Sequence, residues 1–115
     1  MNRKYFLPLF LIFFSGTALV LFSAEKGNIT IVSPANKYVV NSNMETLIVY
    51  TANPGKRGDH LRLVTDGNDT AILNEMKGIA EVGSLSAGVH KVCLVIDTKP
   101  GMSTGVENCV EVIVH

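Results

Sequence analysis

The stretch that decides the fold runs from Gly88 to Val114 and reads G-V-H-K-V-C-L-V-I-D-T-K-P-G-M-S-T-G-V-E-N-C-V-E-V-I-V. It predicts two strands on either side of a Pro100-Gly101 turn region, and it contains both cysteines of the chain. Side chains of a strand point alternately to opposite faces, so each of these strands has one apolar face and one mixed face. The apolar faces hold Val92, Leu94 and Ile96 in the first strand, and Val106, Val110, Val112 and Val114 in the second.

Both cysteines fall on the mixed face of this predicted hairpin. If the turn centres near Gly101, Cys93 and Cys109 lie eight residues to either side and oppose each other. Opposed residues of a non-hydrogen-bonded antiparallel pair have Cα atoms about 4.5 Å apart, within the range of a disulfide. The spacing therefore predicts a cross-strand disulfide, with two free thiols as the alternative. A redox-active pair is disfavoured because there is no C-x-x-C spacing.

The N-terminal residues have the pattern of an export segment. Asn2-Arg3-Lys4 is a short basic start, residues 5–22 are mostly apolar, and Ser23-Ala24 offers small residues for cleavage. As a helix, eighteen residues at about 1.5 Å each reach roughly 27 Å, nearly the thickness of the bilayer core, so an uncleaved signal anchor is an open alternative. The basic start favours a cytoplasmic N-terminus in both cases. We therefore expect residues 1–24 to be a signal peptide or signal anchor that exports a domain of residues 25–115.

The exported part reads as a succession of short strands. The Leu61 and Leu63 side chains alternate with those of His60 and Arg62, which predicts core leucines and an exposed Arg62 on the outer face. Asp66-Gly67 is a strong hairpin signal. Further strands are expected near residues 28–32, 38–40, 45–52, 70–73 and 79–82. If the strands near residues 28–32 and 38–40 are counted as one, the chain has about seven strands with regular turn signals. This pattern predicts an all-β, immunoglobulin-like antiparallel β-sandwich preceded by a hydrophobic export helix.

A family resemblance follows from the order of several motifs. They are S-P-A-N from Ser33, D-H-L-R-L-V-T-D-G from Asp59, and L-S-A-G-V-H-K-V from Leu85, followed by a final Val-rich strand. Over most of residues 29–114 the chain resembles small exported bacterial immunoglobulin-like domains, among them a family of unknown function with a histidine-rich strand before its D-G hairpin. Where related chains tend to have a second histidine in that strand, this chain has Arg62, so the resemblance carries no metal role.

Candidate sites for metal binding or catalysis are weak in this sequence. A transition-metal site needs several ligands that converge, yet His60 and His90 open neighbouring antiparallel strands and are expected at opposite ends and faces of the sheet. His90 is expected to close the end of the core, with a ring nitrogen bonded to a carbonyl. Asp59 and His60 are the only weak metal candidates. The loop residues Met44, Met76 and Met102 form no copper-type cluster, and no serine has the G-x-S-x-G context of a hydrolase.

Charge narrows the functional classes further. Without Arg3 and Lys4, the ten Lys/Arg residues become eight against ten Asp/Glu, a formal charge of −2 with no clustered basic face, which argues against nucleic-acid binding. The sequence favours a non-enzymatic binding or structural module of the bacterial cell envelope, without a cofactor, whose partner is an envelope protein or a small ligand. The alternative is a periplasmic copper- or zinc-binding protein. The expected location is periplasmic or secreted, or anchored to the inner membrane only through residues 5–22.

Overall fold

A computed structural model describes residues 26–115, so the expected export helix and cleavage site lie outside the described residues. Within residues 26–115 no helix is long and apolar enough to cross a membrane. The regular structure of this part consists of strands: β1 (Asn28–Ser33), β2 (Tyr38–Val40), β3 (Glu45–Asn53), β4 (His60–Thr65), β5 (Asn68–Leu73), β6 (Lys77–Ser84), β7 (Gly88–Asp97) and β8 (Ser103–Val114).

The strands form two sheets that pack as a sandwich. One sheet has the order β1-β3-β6, and the other has the order β2-β8-β7-β4-β5. All pairings are antiparallel except that of β2 with β8. The chain changes sheet between β1 and β2, where Pro34 is buried. The expected all-β sandwich is therefore confirmed, with β1 and β2 as the two parts of the first predicted strand.

The core lies between the two sheets and is built from alternate residues of the facing strands. Leu61 and Leu63 are fully buried, as the alternation in β4 predicts. Ile48 and Tyr50 are core residues of the opposite sheet. Val92, Leu94 and Ile96 of β7 lie at the centre of the core. Burying a large aliphatic side chain stabilises the fold by about 1.5–3 kcal/mol, so these residues hold the two sheets together.

The β7–β8 hairpin has the predicted disulfide. Cys93 and Cys109 are register partners, their Cα atoms are 4.0 Å apart, and the Sγ atoms are bonded. The bond joins neighbouring strands on the outer face of the five-stranded sheet, while Val92 and Leu94 point into the core. The core between the sheets therefore contains no disulfide among the described residues.

Two bulges adjust the register of the five-stranded sheet. Between β7 and β8 the register shifts after Val95, opposite a segment in which Gly105 has a φ of 91°. Between β4 and β5 it shifts at Thr70, whose hydroxyl donates to the Leu63 carbonyl at 3.1 Å. An extra residue changes which side chains face inward. The second bulge accordingly places Ala71, rather than Thr70, opposite Leu63.

The connections lie at two opposite ends of the sandwich. At one end, the β3–β4 loop meets the β7–β8 loop, where the Asp59 amide donates to the Asp97 carbonyl at 2.8 Å. We call this the loop end. The tight β4–β5 turn, with Asp66 and Gly67 both at positive φ, lies at the opposite end beside the start of β7. We call this the turn end.

The register of β4 can be tested with one buried and one exposed aliphatic side chain. Leu63→Ala is expected to lower the free energy of unfolding by about 2–5 kcal/mol, because it removes a fully buried side chain. Ile72→Ala, at a side chain that is 66% exposed in the adjacent strand, should change it by less than about 0.5 kcal/mol. Urea denaturation measures both. Equal losses would contradict the inward orientation of Leu63.

Candidate functional site

Charged side chains gather on the outer face of the five-stranded sheet, near the loop end. The β-strand alternation that buries Leu61 and Leu63 turns His60 and Arg62 to this face. Their neighbours across the sheet are Asp97 at the end of β7 and Asp69 in β5. We call Asp59, His60, Arg62, Asp69 and Asp97 the Arg62 cluster.

The centre of the cluster is a buried carboxylate held by a guanidinium. Asp97 is only 2% exposed. Arg62 donates to it from Nε at 2.9 Å and from Nη2 at 3.2 Å, and its Nη1 donates to Asp69 at 2.9 Å. A bidentate arginine–carboxylate pair is a strong, directional interaction. These contacts, with Asp97 first and Asp69 second, raise the pKa of Arg62, so the guanidinium stays charged.

The prediction of an exposed Arg62 is therefore wrong. Its side chain is on the outer face, as predicted, but only 27% of it is exposed and three of its nitrogens are engaged. The reason is the position of Asp97, which is two residues beyond Val95, the register partner of Arg62. A long side chain that lies along the sheet reaches that diagonal position.

His60 extends the cluster toward the β3–β4 loop. Its Nδ1 lies 3.0 Å from an Asp59 carboxylate oxygen, and its Nε2 lies 3.6 Å from Oδ2 of Asp97. The two weak metal candidates, Asp59 and His60, are thus adjacent. However, Arg62 already places a fixed positive charge on the carboxylate that they approach. Within residues 26–115 no three His, Cys, Asp or Glu side chains form a group that could hold a metal ion.

A shallow depression of about 270 Å³ continues from the cluster toward the disulfide. Its walls are Arg62, Lys91 and Glu107, and its floor includes Cys93 and Val95. Cys93 and Val95 are at most 8% exposed although they lie on an outer face, because the longer side chains beside them cover them. The surface is therefore an ion-paired layer over an apolar floor.

The second ordered polar group lies at the turn end, around His90. Its Nδ1 contacts the Asp66 carboxylate, and its Nε2 lies 2.7 Å from the Ser86 carbonyl. Both ring nitrogens face acceptors, which the protonated imidazolium satisfies. The Asp66 contact is the largest cause that raises the pKa of His90, and the same contact lowers the pKa of Asp66. Asp66 also accepts the Lys91 amide at 2.8 Å, so the group fixes the β4–β5 turn to β7.

The structure separates the other residues considered from sequence. His60 and His90 lie at opposite ends of the sheet, as expected, because His60 pairs with Asp97 and Thr65 pairs with Val92. His90 bonds a carbonyl, as expected. Met44 and Met102 are exposed in the β2–β3 and β7–β8 connections, and Met76 packs at the edge of the core in the β5–β6 connection. Met44 therefore lies at the opposite end of the sandwich from Met76 and Met102.

Sequence reasoning missed the two carboxylates that define the cluster. Asp97 ends an apolar run, L-V-I-D, and such a position gives no sign that the side chain is buried. Asp69 lies beside the Asp66-Gly67 turn and was assigned to no strand. One available signal was Arg62 itself, because an arginine in a strand next to buried neighbours requires carboxylate partners.

Comparison with known proteins places this geometry on a known fold. No protein-family model matches the chain, and no curated protein matches it. The chain is similar to the fibronectin(III)-like modules of Clostridium thermocellum CbhA, with a TM-score of 0.62 and 16% identity over 75% of this chain and 94% of that one. It is also similar to a lytic polysaccharide monooxygenase of Jonesia denitrificans, with a TM-score of 0.50 and 9% identity over 76% and 77%.

At these identities the likeness shows the fold alone. The fold of the described residues is an immunoglobulin-like β-sandwich.

The energetic link between Arg62 and Asp97 can be measured with a double-mutant cycle. Arg62→Ala is expected to lower the free energy of unfolding by about 1–3 kcal/mol, because it leaves a buried carboxylate without its donors. Asp97→Ala should also be destabilising. The double variant should lose less than the sum of the two, with a coupling of about 0.5–3 kcal/mol measured by urea denaturation.

Lys77→Ala is the matched control for Arg62→Ala, because it removes an exposed cation from an edge strand. It should change stability by less than about 0.5 kcal/mol. Strict additivity of the Arg62 and Asp97 variants would contradict the importance of the pair.

The His90–Asp66 pair predicts a defined dependence of stability on pH. His90 has its pKa raised above 6.5, so its contribution is complete below that value and is lost as the pH rises through the folded pKa. Asp66 has its pKa lowered below 3.8, so its contribution is complete above that value and is lost as the pH falls through the folded pKa. The pair should therefore stabilise most between pH 3.8 and 6.5.

His90→Gln tests this window. The difference in unfolding free energy between the parent chain and this variant, measured in urea across the pH range, should peak inside the window and decline on both sides. His115→Gln removes an exposed imidazole and leaves the pair intact, so it serves as the control. A difference for His90→Gln that does not vary with pH would exclude the proposed charge pair.

Proposed function

We propose that this chain is an exported, non-enzymatic binding or structural module of the bacterial cell envelope. The observation that carries the proposal is the Cys93–Cys109 disulfide, because such bonds persist in oxidising compartments outside the cytoplasm. The signal-like pattern of residues 1–24 also supports export from the cytoplasm. The location is the periplasm, the exterior, or the outer side of the inner membrane if residues 5–22 remain as an anchor.

The non-enzymatic part of the proposal rests on how the polar groups are used. The donors of Arg62 are bound to carboxylates, and both ring nitrogens of His90 face fixed acceptors. Groups held in this way stabilise strands and turns and are poorly placed to exchange protons with a substrate. The surface proposed to meet a partner is the outer face of the five-stranded sheet, from the Arg62 cluster to the depression beside Cys93.

Export and oxidation can be tested together. The full chain, expressed in a bacterial host from its own N-terminus, should be found in the envelope fraction and should take up no thiol reagent under denaturing conditions without a reductant. Intact-mass measurement of the same material shows whether residues 1–24 have been removed. A variant without residues 1–24 is the control and should stay in the cytoplasm with two reactive thiols. Recovery of the full chain from the cytoplasm with free thiols would overturn the proposal.

The second candidate, copper or zinc handling, is favoured only by the adjacency of His60 and Asp59. Isothermal titration with each metal distinguishes it from the binding module. We expect no saturable heat with the parent chain, because the Arg62 guanidinium occupies the carboxylate beside His60. Stoichiometric binding that is lost in His60→Ala would establish the second candidate in place of the first.

A further inference from the structure

The loop end of the sandwich is also the end at which the preceding chain enters the domain. Gly27 has a φ of 78°, and a Cβ atom at this position would lie 2.6 Å from the Asn53 carbonyl oxygen. Residue 27 is therefore packed against the start of the β3–β4 loop. Only residues 23–26 separate it from the apolar stretch 5–22. At roughly 3.3–3.6 Å per residue, the five steps from Phe22 to Gly27 span at most about 18 Å.

This short connection restricts the orientation of an anchored chain. If residues 5–22 enter a bilayer, the loop end must stay within about one connection length of the bilayer surface, because the chain enters the domain at that end. The surface chemistry of the loop end then decides whether that end contacts the lipid headgroups.

Positive charge is concentrated at the loop end. The chain start and the connections at this end carry four cations, Lys26, Lys56, Arg57 and Lys99, against the two carboxylates Asp59 and Glu75. Asp59 is engaged by His60. The connections at the turn end carry one cation, Lys37, and one carboxylate, Asp66. Lysine and arginine side chains close to an anionic membrane surface are attracted to it.

An exposed apolar side chain accompanies these cations at the tip of the β7–β8 loop. Met102 is 71% exposed, the largest exposed fraction among the large hydrophobic side chains of the described residues. The loop is ordered by its own bonds: the Thr98 amide donates to the Met102 carbonyl at 2.7 Å, and the Gly101 amide donates to the Thr98 carbonyl at 2.9 Å. Lys99 and Met102 are therefore presented together by a preformed turn.

We propose that the loop end is a membrane-contact surface. Arg57, Lys99 and Lys26 meet the phosphates of anionic phospholipids in the bilayer that holds residues 5–22, and Met102 enters the headgroup layer. The inference rests on the proposed function in one respect, namely that the chain is exported and keeps its N-terminal segment. It leaves the outer face of the five-stranded sheet free for a partner.

The test uses the full chain in nanodiscs and follows methionine oxidation by peroxide with mass spectrometry. Met102 should be oxidised several-fold more slowly in discs that contain phosphatidylglycerol than in detergent. Met44, which is 57% exposed at the turn end, is the internal reference and should be oxidised at the same rate in both. Discs of phosphatidylcholine alone should protect Met102 much less.

Charge reversal separates headgroup contact from simple tethering. The double variant Arg57→Glu and Lys99→Glu should restore Met102 oxidation in anionic discs. The matched double variant Lys37→Glu and Lys91→Glu, away from the loop end, should leave the protection intact, and urea denaturation should show that both variants are folded. A Met102 rate that is the same in anionic discs as in detergent, or protection that ignores lipid charge and charge reversal, would overturn the proposal.

The failure of this proposal can be distinguished from that of the export proposal. The nanodisc experiment is done on purified chain, so its result does not depend on where cells place the protein. Export with complete removal of residues 1–24, detected by intact mass, would overturn the membrane contact and leave export standing.

Discussion

The structure depends on the burial of one strand on both of its faces. Strand β7 lies in the middle of the five-stranded sheet, and six consecutive residues of this strand, Val92–Asp97, are all buried. A strand with one face toward the core normally leaves the other face to water, so the outer side chains of β7 need a cover of their own. Arg62 from β4 and Glu107 from β8, both register partners of Val95, supply it.

The same burial explains why the outer face is held by a disulfide and an ion pair. Cys93 is satisfied by its bond to Cys109, and Asp97 by its bond to Arg62. The disulfide links β7 to β8, and the ion pair links β7 to β4. The central strand is therefore fixed to both neighbours on the side away from the core. For an enclosed loop of fifteen residues the disulfide contributes about 3 kcal/mol on a chain-entropy account. The ion pair also compensates the Asp97 carboxylate, which would be costly to bury alone.

What the sequence could predict follows from which interactions are local. The alternation around Leu61 and Leu63, the Asp66-Gly67 turn and the symmetric spacing of Cys93 and Cys109 are all set within short segments, and each prediction is confirmed. The Arg62–Asp97 pair joins residues 35 apart in sequence and depends on the pairing of β4 with β7. No periodicity within one segment encodes such a pairing.

The bulges were unpredictable for a related reason. Thr70 interrupts the register of β5 so that Ala71 and Leu73, rather than Thr70 and Ile72, face the core, while Asp69 keeps its place on the outer face beside Arg62. Which residues of β5 face the core can be read only from its alignment with β4. In a continuous register the polar Thr70 side chain would face inward. The strand bounds near residues 70–73 were therefore approximate, and the carboxylate just before them was missed.

The fixed charge of Arg62 decides what the outer face of the five-stranded sheet needs for its stability. A neutral side chain at this position would leave the Asp97 and Asp69 carboxylates without their guanidinium partner, which is a setting that attracts a divalent cation. The Arg62 guanidinium supplies a permanent positive charge at this place and donates hydrogen bonds directly to Asp97 and Asp69. The cation that stabilises this face is therefore part of the chain itself. A face completed in this way needs no bound ion to balance the charge of its buried carboxylate.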